Sequence, residues 1–166
     1  MGDQSTAAQT AGSRLPDPLK LVPELGEVAG LLYKTIGNGT VPQSTISFMH
    51  LRAGQIVGNT YLTLMHTESL RKAGESEERI TAVSSWQDAR CFTEAEAVAL
   101  ALAEAVLQPS AHGERVSDEL YARVARSYDD RALVTLILAL GQVNFFIPLA
   151  VIGKPIPGAK PSEQWS

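Results

Sequence analysis

Leu51-Arg52-Ala53-Gly54-Gln55-Ile56-Val57-Gly58-Asn59-Thr60-Tyr61-Leu62-Thr63-Leu64-Met65-His66-Thr67 divides into two helical pieces at a glycine. Apolar side chains recur at helical spacing on both sides of Gly58, and no convincing run alternates with period two. Gly58 breaks or bends the first piece. The second covers Tyr61 to Lys72 and stops at Ala73-Gly74. His66 stands four residues after Leu62 and seven after Asn59, offsets that return the three side chains nearly to one helical face. An imidazole in that place can act as a base or acid near neutral pH. It can equally be a hydrogen-bonded histidine at a helix–helix contact.

The same period extends outward. Upstream, it predicts a helix from Glu24 to about Ile36, stopped by Gly37-Asn38-Gly39, and another that starts at Pro42 and carries Ile46, Met49, His50 and Ala53. Downstream, Ser76 followed by Glu77 and Glu78 starts a helix with Ile80, Val83 and Trp86. The acidic cluster Glu75, Glu77, Glu78 is thereby a helix start rather than a pair of catalytic carboxylates. Thr93 and Glu96 form a capping box, Ser117 with Asp118 and Glu119 starts the next helix, and Asp129-Asp130 starts a long apolar one. The sum is an all-α bundle of about six to seven helices. Its single domain runs over residues 15–155, between a flexible N-terminal tail, 1–14, and a proline-rich C-terminal tail, 156–166. Trp165 in that tail needs somewhere to bury, such as a neighbouring subunit.

The last helix carries no charge between Arg131 and Lys154, which is long enough to span a bilayer. Gln142, Asn144 and Pro148 sit in its second half, where their polar groups would be costly in lipid. A buried central helix of a soluble bundle is therefore expected, with no membrane partner.

Composition bounds the function. The 166 residues are 45% hydrophobic and 19% charged, an ordinary globular balance. A net charge of -4 without a Lys/Arg stripe excludes a nucleic-acid surface. One cysteine, Cys91, excludes an intrachain disulfide and a cysteine-held metal cluster, and it suits a reducing cytoplasm. Cys91 lies just before the Thr93 cap and reads as a small hydrophobe, because no partner is adjacent to lower its pKa. The N-terminus lacks the apolar core of a secretory signal, and its Met-Gly start carries little weight for lipidation. His50 can meet the same cavity as His66, whereas His112, in the loop PSAHGER, reads as solvated. No histidine–carboxylate spacing suits a metal, and no nucleophile elbow or phosphate-binding glycine loop occurs. No metal and no cofactor is expected.

The segment from Leu51 to Thr67 resembles the core of the carboxymuconolactone decarboxylase and alkylhydroperoxidase D (AhpD) family. That family's pattern reads roughly E-L-V-x-L-R-x-S-Q-x-N-G-C-x-Y-C-x-x-M-H-T. The likeness continues through Arg71-Lys72-Ala73-Gly74, Glu77-Glu78-Arg79-Ile80, Trp86, Phe92-Thr93-Glu94-Ala95-Glu96 and Ala103-Glu104-Ala105-Val106. Val143-Asn144-Phe145-Phe146 is similar to the family's closing helix. The resemblance implies an AhpD-like helical bundle, and commonly a homo-oligomer. It places the family's two redox cysteines on Asn59 and Leu62 and its upstream glutamate on Ser47. The histidine is kept as His66, and the closing asparagine–arginine pair becomes Ile147-Pro148. Thiol peroxidase chemistry needs a thiolate to attack and a second thiol to resolve, so this chain is expected to lack it.

Two classes of function stay open. In the first, the protein is a cofactor-independent lyase or isomerase. It performs decarboxylation, isomerisation, cyclisation or elimination on a largely apolar organic acid, ketone or lactone. His66 would move the proton, while Asn59 and Ser47, with Tyr61 or Asn144, would orient a carbonyl or stabilise an enolate. Leu62, Phe146 and Ile147 would form an apolar wall, and His50 would join the substrate contacts. In the second class, the protein is a non-catalytic relative that binds a small molecule or a protein partner through the same cavity.

Overall fold

Eight α-helices build the described part of the computed structural model, residues 12–111 and 113–166, and no strand occurs among these residues. Residues 1–11 and His112, with the readings made of them, lie outside it. The helices are α1 (Pro18–Leu21), α2 (Glu24–Ile36), α3 (Gln43–Ile56), α4 (Thr60–Lys72), α5 (Glu77–Ala82), α6 (Glu94–Leu107), α7 (Asp118–Ser127) and α8 (Asp130–Gly153). Short 3₁₀ turns occupy Val83–Ser85 and Pro161–Glu163. The four-residue α1 is the element that sequence periodicity does not show. Helix starts fall where local chemistry puts them. The hydroxyls of Ser76 and Ser117 and the carboxylate of Asp129 accept the free N–H groups of α5, α7 and α8, and Thr93 with Glu96 forms a complete capping box on α6.

α3 is the hub, packed against α4, α6 and α8. Nine of its fourteen residues are buried, so it is covered on most of its circumference rather than along one stripe. Ile46, Met49, Val98, Val124, Leu136 and Leu140 form the larger core cluster, and Phe48, Leu51, Leu70, Val83 and Leu100 the smaller. Beside the latter, the Arg79 guanidinium lies 4.9 Å from the centre of the Phe48 ring and is held by Glu75 and Glu96. Glu77 pairs with Arg71. Glu75 and Glu77 thus hold arginines, in keeping with a structural role for the acidic cluster.

The junction of α3 and α4 sets the site. Gly58 adopts φ +64°, and the amides of Gly58 and Asn59 bond back to the carbonyls of Gln55 and Gly54. This is a Schellman closure, which glycine enters at low cost. Asn59 then caps α4 directly: its side chain accepts the Leu62 amide at 2.9 Å. Gly54 lets the two helices touch, since a Cβ there would sit 3.0 Å from the Thr63 backbone nitrogen. α3 and α4 therefore fold into a tight hairpin, with His50 on one arm and His66 on the other.

Two expectations need correction. α8 is not buried all round. One face packs on α2 and α3, while Val134, Ile137, Leu138, Phe145, Val151 and Ile152 stand exposed. By length and composition it could cross a membrane, with 39% of the qualifying window buried. The C-terminal segment is not an extended tail either. The Ile156 amide bonds the Gln164 carbonyl at 2.8 Å, and Ser13 and Ser166 join the two ends of the described chain. Trp165 lies against Gly153, where an added Cβ would come within 2.8 Å of the indole. Trp165 thus packs, half-buried, on its own chain.

Candidate functional site

α2, α3, α4 and α8 enclose a cavity of about 250 Å³ under the C-terminal segment. Its wall is mostly apolar, with Leu25, Leu62, Met65, Phe146 and Leu149 on the sides and Trp165 contributed by the terminal segment. No Lys, Arg, Asp or Glu lines it among the described residues. Helical spacing accounts for the α8 contribution, because Gln142, Phe146 and Leu149–Ala150 recur on one face of that helix.

Three polar groups meet at this wall. The rings of His50 and His66 lie 5.0 Å apart, tilted by 60°. His50 donates from Nε2 to the Ala139 carbonyl at 2.8 Å, which fixes its tautomer and leaves Nδ1 without hydrogen while the ring is neutral. His66 has no such anchor. Its Nε2 is buried without a partner, and so is Oε1 of Gln142. An unpaired buried polar atom costs about 1–3 kcal/mol, and folded proteins retain few of them. Two such atoms on one cavity wall are a reason to look for a ligand.

Both imidazoles are neutral at physiological pH. Burial pushes His66 from 6.5 down to about 3, helped by its neighbour His50. Burial likewise lowers His50 to about 4, partly opposed by the bond to Ala139. At the mouth, the Tyr61 hydroxyl donates to Gln164 Oε1 at 2.9 Å, tying α4 to the C-terminal segment. Burial, together with Tyr33, raises the Tyr61 pKa, so the phenol keeps the proton it donates.

The residues anticipated for the site separate into two groups. His66, His50, Tyr61, Leu62 and Phe146 line the cavity. Asn59, Ser47, Asn144 and Ile147 do not line it. Asn59 spends its carbonyl on the α4 cap, and its amide donates to the Ala150 carbonyl at 3.3 Å. Ser47 is buried on α3 but away from the cavity wall. Asn144 lines a separate depression with residues of α6 and α7. Ile147 is half-buried and off the cavity wall. Gln142, Gln164 and Trp165 are the cavity residues not foreseen. Gln142 carried a signal, since it lies four residues before Phe146 inside an otherwise apolar run.

Comparison with known proteins agrees with this architecture. Residues 23–105 match the model of the carboxymuconolactone decarboxylase family. The chain is 32% identical over 126 residues to the uncharacterized protein YdfG of Bacillus subtilis (strain 168), covering 75% of this chain and 84% of that protein. Among solved structures, it is similar to a protein of unknown function from Agrobacterium tumefaciens, a proposed antioxidant defence protein AhpD. The TM-score is 0.79 at 23% identity, covering 89% of this chain and 99% of the other. It is also similar to the debrominase Bmp8, with a TM-score of 0.71 at 19% identity, over 80% of this chain and 70% of that one. A cysteine-to-alanine variant of that debrominase is known in complex with 2,3,4-tribromopyrrole. These structural likenesses are of fold. With the family model spanning half the chain and the bundle arranged as in the AhpD-like structures, the chain belongs to the carboxymuconolactone decarboxylase family.

Proposed function

We propose that the protein is a cofactor-independent enzyme that moves a proton on a largely apolar carbonyl compound held beside His66. The observation that carries this reading is the unpartnered Nε2 of a buried histidine on an apolar cavity wall. Of the substrates considered, an uncharged ketone or lactone suits the cavity better than an organic acid. A carboxylate would enter a site without a cation and lose its hydration uncompensated.

The same physics narrows the reaction. In the tautomer with hydrogen on Nδ1, Nε2 of His66 takes a proton from the carbon next to the carbonyl. The C–H electron pair moves into the carbonyl and makes an enolate. Where the substrate carries a β,γ-double bond, the enolate is a dienolate. The imidazolium returns the proton to the γ-carbon, the double bond moves to the α,β-position as the carbonyl re-forms, and neutral His66 is regenerated. A base with so low a pKa requires an already acidified C–H, such as one flanked by a second carbonyl or an aromatic ring. Decarboxylation would instead call for a resident imidazolium, which burial disfavours. That the fold serves reactions other than peroxide reduction is suggested by the debrominase, whose cysteine-to-alanine variant is known in complex with 2,3,4-tribromopyrrole. Thiol peroxidase chemistry has no support here, because Leu62 and Asn59 stand at the two thiol positions and Cys91 is alone.

Isomerisation of uncharged cyclic ketones and lactones, followed by NMR, tests the reading. His66→Gln should slow turnover by about 10²–10⁴-fold, the usual contribution of a positioned general base. Unchanged turnover in that variant would refute the role of His66 as the base, and ligand affinity that survives His66→Gln in a protein without turnover would favour a non-catalytic binding protein.

The exposed face of α8 supports a second copy of this chain as partner. Val134, Ile137, Leu138, Phe145, Val151 and Ile152 form a row of apolar side chains of the kind that oligomer contacts cover. Light scattering of detergent-free protein should give a multiple of 17.8 kDa, and Ile137→Glu or Phe145→Glu should shift it toward the monomer. A monomer for the wild-type chain would count against this association.

A further inference from the structure

The polar groups of the cavity specify more of the ligand than its lack of charge. Gln142 is 3% exposed, sits in the middle of α8, and its Oε1 is buried without a hydrogen-bond partner among the described residues. Its neighbours along the helix face, Ala139, Val143 and Phe146, offer the amide nothing but packing. A leucine or methionine there would fill similar volume without burying an unpaired carbonyl. Glutamine in that position is therefore a cost to the empty protein. His66, 9% exposed on the facing helix, carries the same cost through Nε2. The two residues line one cavity, whose remaining wall is mostly aliphatic and aromatic, with His50, Tyr61 and Gln164 its other polar members.

We propose that Gln142 is the specificity-determining residue of this cavity, and that its Oε1 accepts a hydrogen bond from an O–H or N–H carried on an uncharged ring compound. In the amide orientation of the structure Oε1 is the unpaired atom, and an amide oxygen can only accept, so a ligand offering carbonyl oxygens alone would leave it unpaired. The natural ligand therefore carries a donor as well as the carbonyl: an enol, a hydroxy ketone or a lactam. The ring body packs against Phe146, Met65 and Trp165, and a cavity of about 250 Å³ suits one or two fused rings. This inference rests on the reading of the cavity as the functional site, but it concerns recognition and not turnover.

A phenol is an enol locked by aromaticity, so 1-naphthol probes the site without reacting. Binding is measured by calorimetry for 1-naphthol, for 1-methoxynaphthalene, which has the same rings without the donor, and for 1-naphthoate, which is charged. The wild-type protein should bind the naphthol at least about tenfold more tightly than the ether, the worth of one buried hydrogen bond. Naphthoate should bind more weakly than either. Gln142→Leu and Gln142→Met, two variants of similar volume, should bind naphthol and ether alike while keeping or improving affinity for the ether. Equal affinities in the wild-type protein, a preference that persists in both variants, tighter binding of naphthoate or no binding of naphthol would each overturn the proposal. His66→Gln separates the two readings. Lost turnover with an intact naphthol preference upholds recognition by Gln142, and intact turnover with a lost preference in the Gln142 variants refutes only the proton-transfer role of His66.

Discussion

His66→Leu should give a protein that is more stable than the wild type and has no activity. Leucine is close to imidazole in volume, and it would join Leu62, Met65 and Phe146 on the wall of the same cavity. The substitution removes a buried nitrogen that has no partner. Relief of that desolvation should raise the unfolding free energy by about 1–3 kcal/mol, read as a higher urea midpoint at unchanged slope. A histidine that merely held α3 and α4 together would behave oppositely, since its loss would remove a bond and lower the midpoint. The contrast with His50 sharpens the test. His50 is anchored to the Ala139 carbonyl, so His50→Leu removes a hydrogen bond and should destabilise the fold by about 0.5–1.5 kcal/mol. Stability held below its optimum at a site of function is the usual trade between folding and activity.

Acid should weaken the fold well before its carboxylates titrate. The unfolded chain takes up protons on both histidines as pH falls below 6.5, while the folded protein keeps them neutral until about 4 for His50 and about 3 for His66. Between those limits the unfolded state binds more protons, so lowering the pH favours unfolding. Each imidazole should cost about 2 kcal/mol between pH 7 and pH 5, and the pair up to about 4 kcal/mol, a large share of a typical domain stability. Thermal melts across pH 7 to 5 check this, with His66→Leu expected to lose roughly half of the dependence. A flat melting temperature over that range would mean that the two rings are not held neutral by burial. The same shifts bear on catalysis. With the free-protein pKa of His66 at about 3, turnover should show no acid limb near neutral pH and should fail by unfolding first.

Helix positions were legible in the sequence because their causes are local. Ser76, Thr93, Ser117 and Asp129 each satisfy free amides within three residues, and Gly58 closes α3 through bonds to its own last turn. The site was legible only in part, because it depends on contacts between distant segments. His50 and His66 could be placed on facing helices from spacing, but the bond that anchors one and not the other comes from α8. Asn59 shows how position alone misleads. By resemblance it matches a family cysteine, yet its side chain is committed to the α4 cap and to Ala150. Gln142 was passed over because a polar residue in an apolar helix first reads as evidence about membranes. Its meaning appears only when the facing wall proves to be apolar and leaves it unpaired. The C-terminal segment, rich in proline and glycine, offers no periodicity, and its place is set by the fit of Trp165 over Gly153.

The central claim is that His66 transfers a proton on an uncharged carbonyl compound, and hydrogen–deuterium exchange tests it without knowledge of the natural product. 2-Tetralone offers two fused rings, no charge and acidified C–H bonds beside a carbonyl. Incubated with the protein in D₂O at neutral pH and followed by proton NMR, it should lose its α-proton signal faster than in buffer. The enhancement should fall by at least about 10²-fold in His66→Gln. Exchange no faster than in buffer, or exchange equally fast in the His66→Gln protein, would contradict the account.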